Sequence, residues 1–310
     1  MNHLIALDWG TSSFRAYLLD AAGSIVETRS RPWGIRQLPD GGFGGAFAAM
    51  VAGWPDCPVI AAGMVGSRNG WQEVPYLDIP AGVDELAAAL VPVAAPGGRV
   101  VHLVPGLHNS RGPDVMRGEE TQLVGALALR PPPQGEATVV LPGTHSKWVR
   151  VKEGVVTDFV TTMTGELFAL LSRHSILAVE IKPDAPLDVD AFSRGVRTAR
   201  ASGAAGGVSR LFSTRALMLD GTLDASSVPD YLSGLLIGEE IRSTLADGRM
   251  DCTLPLRLVG DAALGARYRM AASDFSLTVS PAVEDTAAHG LWLIARRAHL
   301  HERTIHGVSP

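Results

Sequence analysis

One pattern occurs twice in the sequence, and it constrains the fold more than any other feature of the chain. The first copy spans residues 4–29 and the second spans 137–160. In each copy an apolar strand leads through a polar turn containing Gly-Thr into a second strand, and a Gly-bearing turn leads into a third. Consecutive short strands joined by such turns are typical of an antiparallel meander. The repeat therefore predicts a duplicated fold.

Helices that alternate with single strands are predicted after each meander, from apolar residues at helical or strand spacing. In the first half these are helices over 43–54 and 119–129 and strands over 59–62 and 100–104. In the second half they are helices over 166–172, 191–202, 208–219, 231–245, 262–271 and 285–300, and strands over 256–259 and 275–279. The alternation indicates an α/β protein.

The segment 130–135, Arg-Pro-Pro-Pro-Gln-Gly, cannot be helical because proline lacks the amide proton and clashes with the preceding turn. We therefore place a domain boundary there, between an N-terminal lobe of residues 1–130 and a C-terminal lobe of residues 131–310. Residues 63–80 are long and irregular, which inside a compact domain indicates a binding loop.

Composition excludes several classes of function. The chain has 310 residues, enough for two domains, and a net charge of −5 without a basic block, so neither nucleic acid nor an anionic membrane is an expected partner. No apolar run approaches the roughly 20 residues of a membrane span. The two cysteines have no metal-binding spacing. Because the first residues also lack a secretory signal, we expect a cytoplasmic enzyme.

The two Gly-Thr turns are candidate phosphate sites. Glycine lets several backbone N–H groups approach an anion, and Thr and Ser hydroxyls add neutral donors. The candidate donors are Gly10, Thr11, Ser12 and Ser13 in the first turn and Gly143, Thr144, His145 and Ser146 in the second. Asp8 suits Mg²⁺, directly or through water, and Lys147 can supply a point charge to a phosphate. Taken singly, each turn could instead be a plain hairpin, and His145 could make a structural hydrogen bond.

Residues 7–16, Leu-Asp-Trp-Gly-Thr-Ser-Ser-Phe-Arg-Ala, resemble the first phosphate turn of the actin/hexokinase/Hsp70 ATPase superfamily. Nearly end to end, the chain is similar to the 2-dehydro-3-deoxygalactonokinase family. The motifs that carry this resemblance are 62–67 with 70–71 and 75–76, 104–107, 115–122, 141–149, 163–167 and 232–238. It implies a two-lobed actin-like ATPase fold of duplicated ribonuclease-H-like units, with the active site in the interlobe cleft. It also implies ATP- and Mg²⁺-dependent phosphorylation of 2-dehydro-3-deoxy-D-galactonate at its 6-hydroxyl, in galactonate catabolism.

The resemblance also suggests catalytic residues. Gly118-Glu119 aligns best with the Gly-Asp-Gln-Gln run of related carbohydrate kinases, so Glu119 is the first candidate for the general base and Glu120 the second, with Asp8 as the third catalytic residue. Two acids at the start of a helix are also favoured by the helix dipole without any catalysis. The substrate bears a carboxylate, which a guanidinium recognises well, and Arg117 lies beside the candidate base.

Further candidates lie in the binding loop and in the region that the superfamily uses for adenosine. Ser67, Arg68 and Trp71 are predicted to line the sugar-acid site, although Arg68 could be a solvent-exposed loop residue and Trp71 a packed aromatic. Gly260, Asp261 and Asp285 are predicted at the adenosine site. Here the sequence departs from the family, because Glu284 stands where glycine is expected and Asp261 where a small or hydroxyl residue is usual.

Two other functions are open at this point. The protein could phosphorylate another 2-keto-3-deoxy acid or an aldonic acid, since one stereocentre is distinguished by few hydrogen bonds. It could also be a non-catalytic sensor of nucleotide or sugar acid. A small-molecule sugar acid is the expected partner in the first case, and the oligomeric state is left open, with a homodimer among the options.

Overall fold

The computed structural model describes residues 3–177 and 186–300. The strands are β1 (His3–Trp9), β2 (Phe14–Asp20), β3 (Ile25–Arg31), β4 (Val59–Ala62), β5 (Leu77–Asp78), β6 (Val91–Ala94), β7 (Val100–Leu103), β8 (Leu107–Asn109), β9 (Asp114–Met116), β10 (Glu136–Leu141), β11 (Ser146–Lys152), β12 (Val155–Thr162), β13 (Leu256–Val259) and β14 (Val279–Val283). The α-helices are α1 (Gly42–Met50), α2 (Val83–Ala88), α3 (Glu119–Leu129), α4 (Thr164–His174), α5 (Val189–Arg200), α6 (Ser213–Leu219), α7 (Val228–Asp247), α8 (Ala262–Asp274) and α9 (Thr286–Arg297).

The two larger sheets repeat one strand order. The first has the order β3-β2-β1-β4-β7-β6 and the second β12-β11-β10-β13-β14. Strand β1 pairs antiparallel with β2 and parallel with β4, and β10 and β13 are also parallel neighbours. Apart from the edge strand β6, the second sheet therefore reproduces the first, and the duplication predicted from the sequence is confirmed. A small third sheet has the order β5-β8-β9.

The chain forms two compact units. The first contains the described residues up to Glu136, Val151–Asp158 and those from Asp285 onward, and the second contains Ala137–Arg150 and the described residues from Phe159 to Glu284. In the first unit, Trp9 stacks on Phe14 with ring centroids 3.8 Å apart, in a core beneath α1. In the second, Trp148 and Phe192 are fully buried in a core that includes α5, α7 and α8. The lobe boundary at residue 130 stays a prediction.

Several predicted bounds are shifted by up to four residues, as in α1, which ends at Met50 and not at residue 54, and two predicted elements differ more. The helix predicted over 208–219 is broken into a 3₁₀ turn at Gly207–Arg210 and α6, and the amide of Gly207 donates to Glu239 Oε2 at 2.6 Å. The strand predicted over 275–279 starts four residues later as β14, because α8 continues to Asp274 and Phe275 closes its last turn by donating to Ala272 O. Among the described residues, none of the helices combines the length and apolar composition needed to cross a membrane.

Candidate active site

The first phosphate turn lies on an apolar base at the end of β1. The amide of Gly10 donates to Ser13 O at 2.9 Å and closes the turn, while the Trp9–Phe14 stack lies directly beneath it. Thr11 and Ser12 are exposed at the tip. The packing below the turn therefore fixes its backbone while the hydroxyl-bearing residues face solvent, as an anion site requires.

Asp8 lies one residue before this tryptophan, beside Ala62 of β4 and opposite Arg15 of β2. Burial raises the pKa of the Asp8 carboxyl above its usual value, and the charge of Arg15 only partly opposes this. A carboxylate in such surroundings is stabilised by a nearby cation. No group of three or more metal-ligating side chains was found in the described part of the chain. A single carboxylate fits Mg²⁺, which keeps waters and binds substrate phosphates.

Two glycines bring three segments together at the carboxyl end of the first sheet. Gly63 has a φ of 96°, and a Cβ there would lie 2.7 Å from the carbonyl oxygen of Trp9. Gly118 has a φ of 106°, and its Cβ would lie 3.2 Å from Gly63 Cα. Both positions need glycine because of the left-handed φ and the close approach. The turn after β1, the end of β4 and the start of α3 are therefore in backbone contact, which brings the segments bearing Asp8 and Glu119 close together.

The two glutamates at the start of α3 have different environments. Glu119 is half-buried, and its Oε2 accepts the amide of Arg117 at 2.9 Å. Glu120 is fully buried, with Oε2 accepting the Gly118 amide at 2.6 Å and Oε1 accepting the Thr121 hydroxyl at 3.0 Å. Burial, followed by the charge of Glu119, raises the pKa of Glu120 to about 8. Glu119 is therefore the more accessible carboxylate, and Glu120 is held inside the fold.

Arg117 is a buried cation that is only partly paired. Its Nη2 donates to Val74 O at 2.7 Å, and the guanidinium lies 4.2 Å from the centre of the Tyr76 ring. Nε and Nη1 of Arg117 and Oγ of Ser67 are buried without a hydrogen-bond partner. A Cβ on Gly66 would lie 3.0 Å from Arg117 Nη1, so the Ser67 segment is adjacent to the guanidinium. These buried donors therefore lack an acceptor within the described part of the chain.

The other two residues predicted from the binding loop lie in different settings. Arg68 is exposed. Trp71 packs edge-on against Trp9, with ring centroids 6.0 Å apart, and stacks on Phe43. Contact of these two side chains with a sugar acid stays a prediction. Tyr76 and Val74, which orient Arg117, had no role in the sequence-based prediction. The only sequence feature that could have indicated a role for Tyr76 was its place in the family motif at 75–76.

The second phosphate turn lies in the second unit, and several of its side chains have internal partners. His145 Nε2 lies 2.5 Å from Glu166 Oε2, and the buried Ser146 Oγ lies 2.8 Å from Tyr268 Oη. The buried Lys147 Nζ donates to Thr161 Oγ1 at 2.7 Å. Thr144 is exposed, whereas Gly143 is half-buried. The predicted phosphate contacts of this turn stay predictions.

The residues predicted at the adenosine site are divided between the units. Asp261 caps α8 by accepting the Leu264 amide at 2.8 Å, and Gly260 before it has a φ of 123°. Asp285 belongs to the first unit, where it precedes α9 with a φ of 52°. Asp261 thus has a structural function as a helix cap. Nucleotide contacts of all three residues stay predictions.

The duplicated sheets define the actin-like ATPase fold. At the level of fold alone, the chain is similar to the activator of 2-hydroxyisocaproyl-CoA dehydratase from Clostridium difficile, with a TM-score of 0.55 and 14% identity over 99% of this chain and 100% of that one. A sequence profile of the family described as 2-keto-3-deoxy-galactonokinase matches residues 8–294. The chain belongs to this family of kinases, as its motifs predicted.

Two relatives within the family match over nearly the whole chain. The 2-dehydro-3-deoxygalactonokinase of Escherichia coli K12 is 37% identical over 287 residues, which cover 91% of this chain and 94% of the relative. A crystal structure from Sinorhizobium meliloti, described as "a putative 2-dehydro-3-deoxygalactonokinase protein", is 37% identical with a TM-score of 0.81, covering 94% of this chain and 98% of that one.

Proposed function

We propose that this kinase transfers the γ-phosphoryl group of ATP to the 6-hydroxyl of 2-dehydro-3-deoxy-D-galactonate. We infer an acidic sugar from Arg117, because its guanidinium is buried and only partly paired. The name of the Escherichia coli relative supports the same substrate. We further propose that the protein acts in the cytoplasm.

A buried guanidinium without an anionic partner is unfavourable, because burial removes its hydration. Within the described residues, no carboxylate forms an ion pair with Arg117, while Val74 O and the Tyr76 ring fix its orientation. The carboxylate of the substrate would accept from Nε or Nη1, and the adjacent Ser67 hydroxyl would donate to it or to a neighbouring sugar oxygen. A neutral hexose offers no such charge, so the site would favour the acid.

In the transfer step Glu119 would act as the base. Its carboxylate accepts the proton of the 6-hydroxyl as the sugar oxygen forms a bond to the γ-phosphorus, and the bond from this phosphorus to the bridging oxygen of ADP breaks. Backbone N–H groups of the first turn, with the Thr11 and Ser12 hydroxyls, would hold phosphate oxygens. Asp8 would hold Mg²⁺, directly or through water. Mg²⁺ would offset the negative charge of the phosphate oxygens.

Substitution of Glu119 tests this assignment. E119Q should lower kcat by about 10²–10⁴-fold with little change in either KM, because the amide cannot accept the proton. E153Q, at an exposed turn between β11 and β12, is the matched control and should leave kcat unchanged. Retention of full activity by E119Q would refute the assignment, and E120Q then becomes the variant to measure. A wild-type protein that binds ATP but phosphorylates no acid would instead support the sensor function.

A further inference from the structure

The polar network beneath the second phosphate turn centres on Glu240, a fully buried residue of α7. Its carboxylate accepts hydrogen bonds from three different elements. Trp148 Nε1 of β11 donates to Oε1 at 2.7 Å, Tyr268 Oη of α8 donates to Oε2 at 2.8 Å, and the Thr164 hydroxyl at the start of α4 also donates to Oε2. Three neutral donors thus use both oxygens as acceptors.

The network reaches the turn through Tyr268. Burial and the charge of Glu240 keep the pKa of Tyr268 well above its usual value, so this hydroxyl stays protonated. A tyrosine hydroxyl has one proton, and since Tyr268 donates it to Glu240, the contact of 2.8 Å with Ser146 must be donated by Ser146. The Ser146 oxygen is then an acceptor for the Gly143 amide, 3.4 Å away. Burial raises the pKa of the Glu240 carboxyl, and the hydrogen bonds from Thr164, Trp148 and Tyr268 oppose this; in the ionised form the hydrogen bonds run from Ser146 through Tyr268 to Glu240.

The network also supports the turn from its other side. Thr164, held by Glu240, begins α4, and the next two residues of this helix pack on the turn. A Cβ on Gly165 would lie 2.5 Å from Gly143 O, and the amide of Glu166 donates to Thr144 O at 3.0 Å. Both ends of the turn are thus connected to one carboxylate.

We infer that Glu240 is the residue that positions the second phosphate turn for the nucleotide, acting through Tyr268 and Ser146 and through the start of α4. This inference rests on the proposed function, in which the turn binds phosphates of ATP. Glu240 touches neither substrate, so its effect is transmitted by the geometry of the turn.

The substitution E240Q changes the direction of the hydrogen bonds without changing the shape of the side chain. The Trp148 N–H can only donate, so the glutamine oxygen must face it and the NH₂ group must face Tyr268. Tyr268 would then donate to Ser146, and the Ser146 proton would turn to the carbonyl of Gly143, so the hydrogen bonds that hold the turn are rearranged. We expect the Kd for ATP, measured by calorimetry, to rise about tenfold or more, a typical effect of a lost charge-assisted hydrogen bond. The KM for the sugar acid should not change.

Y268F provides a milder test, because it removes only the hydroxyl that joins Glu240 to Ser146. It should weaken ATP binding about three- to tenfold, and combination with S146A should give little further loss, since both break one chain of hydrogen bonds. The matched control is Y231F, at a buried tyrosine of the same unit whose hydroxyl donates to Thr198 Oγ1 at 3.1 Å. It should change stability but not the Kd.

The outcomes separate this inference from the proposed function. If wild type binds ATP and folded Y268F and E240Q bind it equally well, the role of Glu240 is refuted and the kinase function stands. If E240Q does not fold, the Kd values of Y268F and Y231F for ATP are compared instead, and this comparison decides whether Glu240 positions the turn. If wild type binds no ATP, both the function and the inference fail. Weaker binding by Y268F with unchanged binding by Y231F supports the inference.

Discussion

Replacement of Arg117 by methionine tests how the proposed site selects an acid. Methionine keeps an unbranched apolar side chain over Tyr76 but removes the charge and the N–H donors. Two donors, Nε and Nη1, have no partner in the structure and would face the substrate carboxylate. A hydrogen bond to a charged group contributes about 1.5–3 kcal/mol, so loss of both predicts a fall in kcat/KM of roughly 10²–10⁴-fold.

The assay is ADP release coupled to a dehydrogenase, at varied sugar acid and saturating ATP. We expect R117M to raise the KM for the acid while the KM for ATP stays within about twofold. R200M, at the exposed end of α5, is the matched control and should behave as wild type. Unfolding by denaturant shows whether R117M is folded, because it also loses the hydrogen bond to Val74 O.

The reasoning fails if folded R117M keeps a wild-type KM for the acid. It also fails if the loss falls equally on acidic and neutral acceptors, since this would mean that Arg117 has only a structural role.

Three further predictions concern the first unit. G63A should lower the free energy of unfolding by about 2–4 kcal/mol, because its Cβ would meet Trp9 O at a left-handed φ; an unchanged denaturation midpoint would contradict this. D8N should lower kcat at least about 100-fold and raise the Mg²⁺ concentration needed, without loss of thermal stability; activity equal to wild type at low Mg²⁺ would rule out the metal role. The pKa of Glu120 rises from 4.5 in the unfolded chain to about 8 in the folded one, so its contribution to stability is full below about pH 4.5 and is lost as the pH rises through 8. The difference in unfolding free energy between wild type and E120Q should therefore change with pH by up to about 1.4 kcal/mol per unit in this window, and a constant difference would contradict the raised pKa.

Helices and strands whose ends are set by nearby residues could be predicted from the sequence. Helix α3 has the predicted bounds, 119–129, because Gly118 and two acids favour its start and Pro131 stops it soon after its end. The meanders were found because their turns carry glycine. The boundary between α8 and β14 was wrong, since Phe275, Leu277 and Val279 alternate like a strand although Phe275 closes the last turn of α8 and β14 starts only at Val279.

Contacts between distant segments could not be predicted in the same way. The small sheet pairs Leu77 with Leu107, and neither short strand has a pattern of its own. The motifs indicated Asp8, Glu119 and Arg117 as candidates, but the orientation of Arg117 depends on Val74 and Tyr76, which the fold brings to it from another part of the chain. Glu240 lies in a helix where most neighbours are core residues, and its contact with the second turn passes through Tyr268.

The most direct test measures ADP release by the wild-type protein over a small panel of 2-keto-3-deoxy acids, plain aldonates and hexoses, with and without Mg²⁺. We expect release that requires both Mg²⁺ and 2-dehydro-3-deoxy-D-galactonate, with one phosphoryl group found on the 6-oxygen by ³¹P NMR. Comparable turnover of unmodified hexoses, with none of the keto-deoxy acid, would contradict the proposed function.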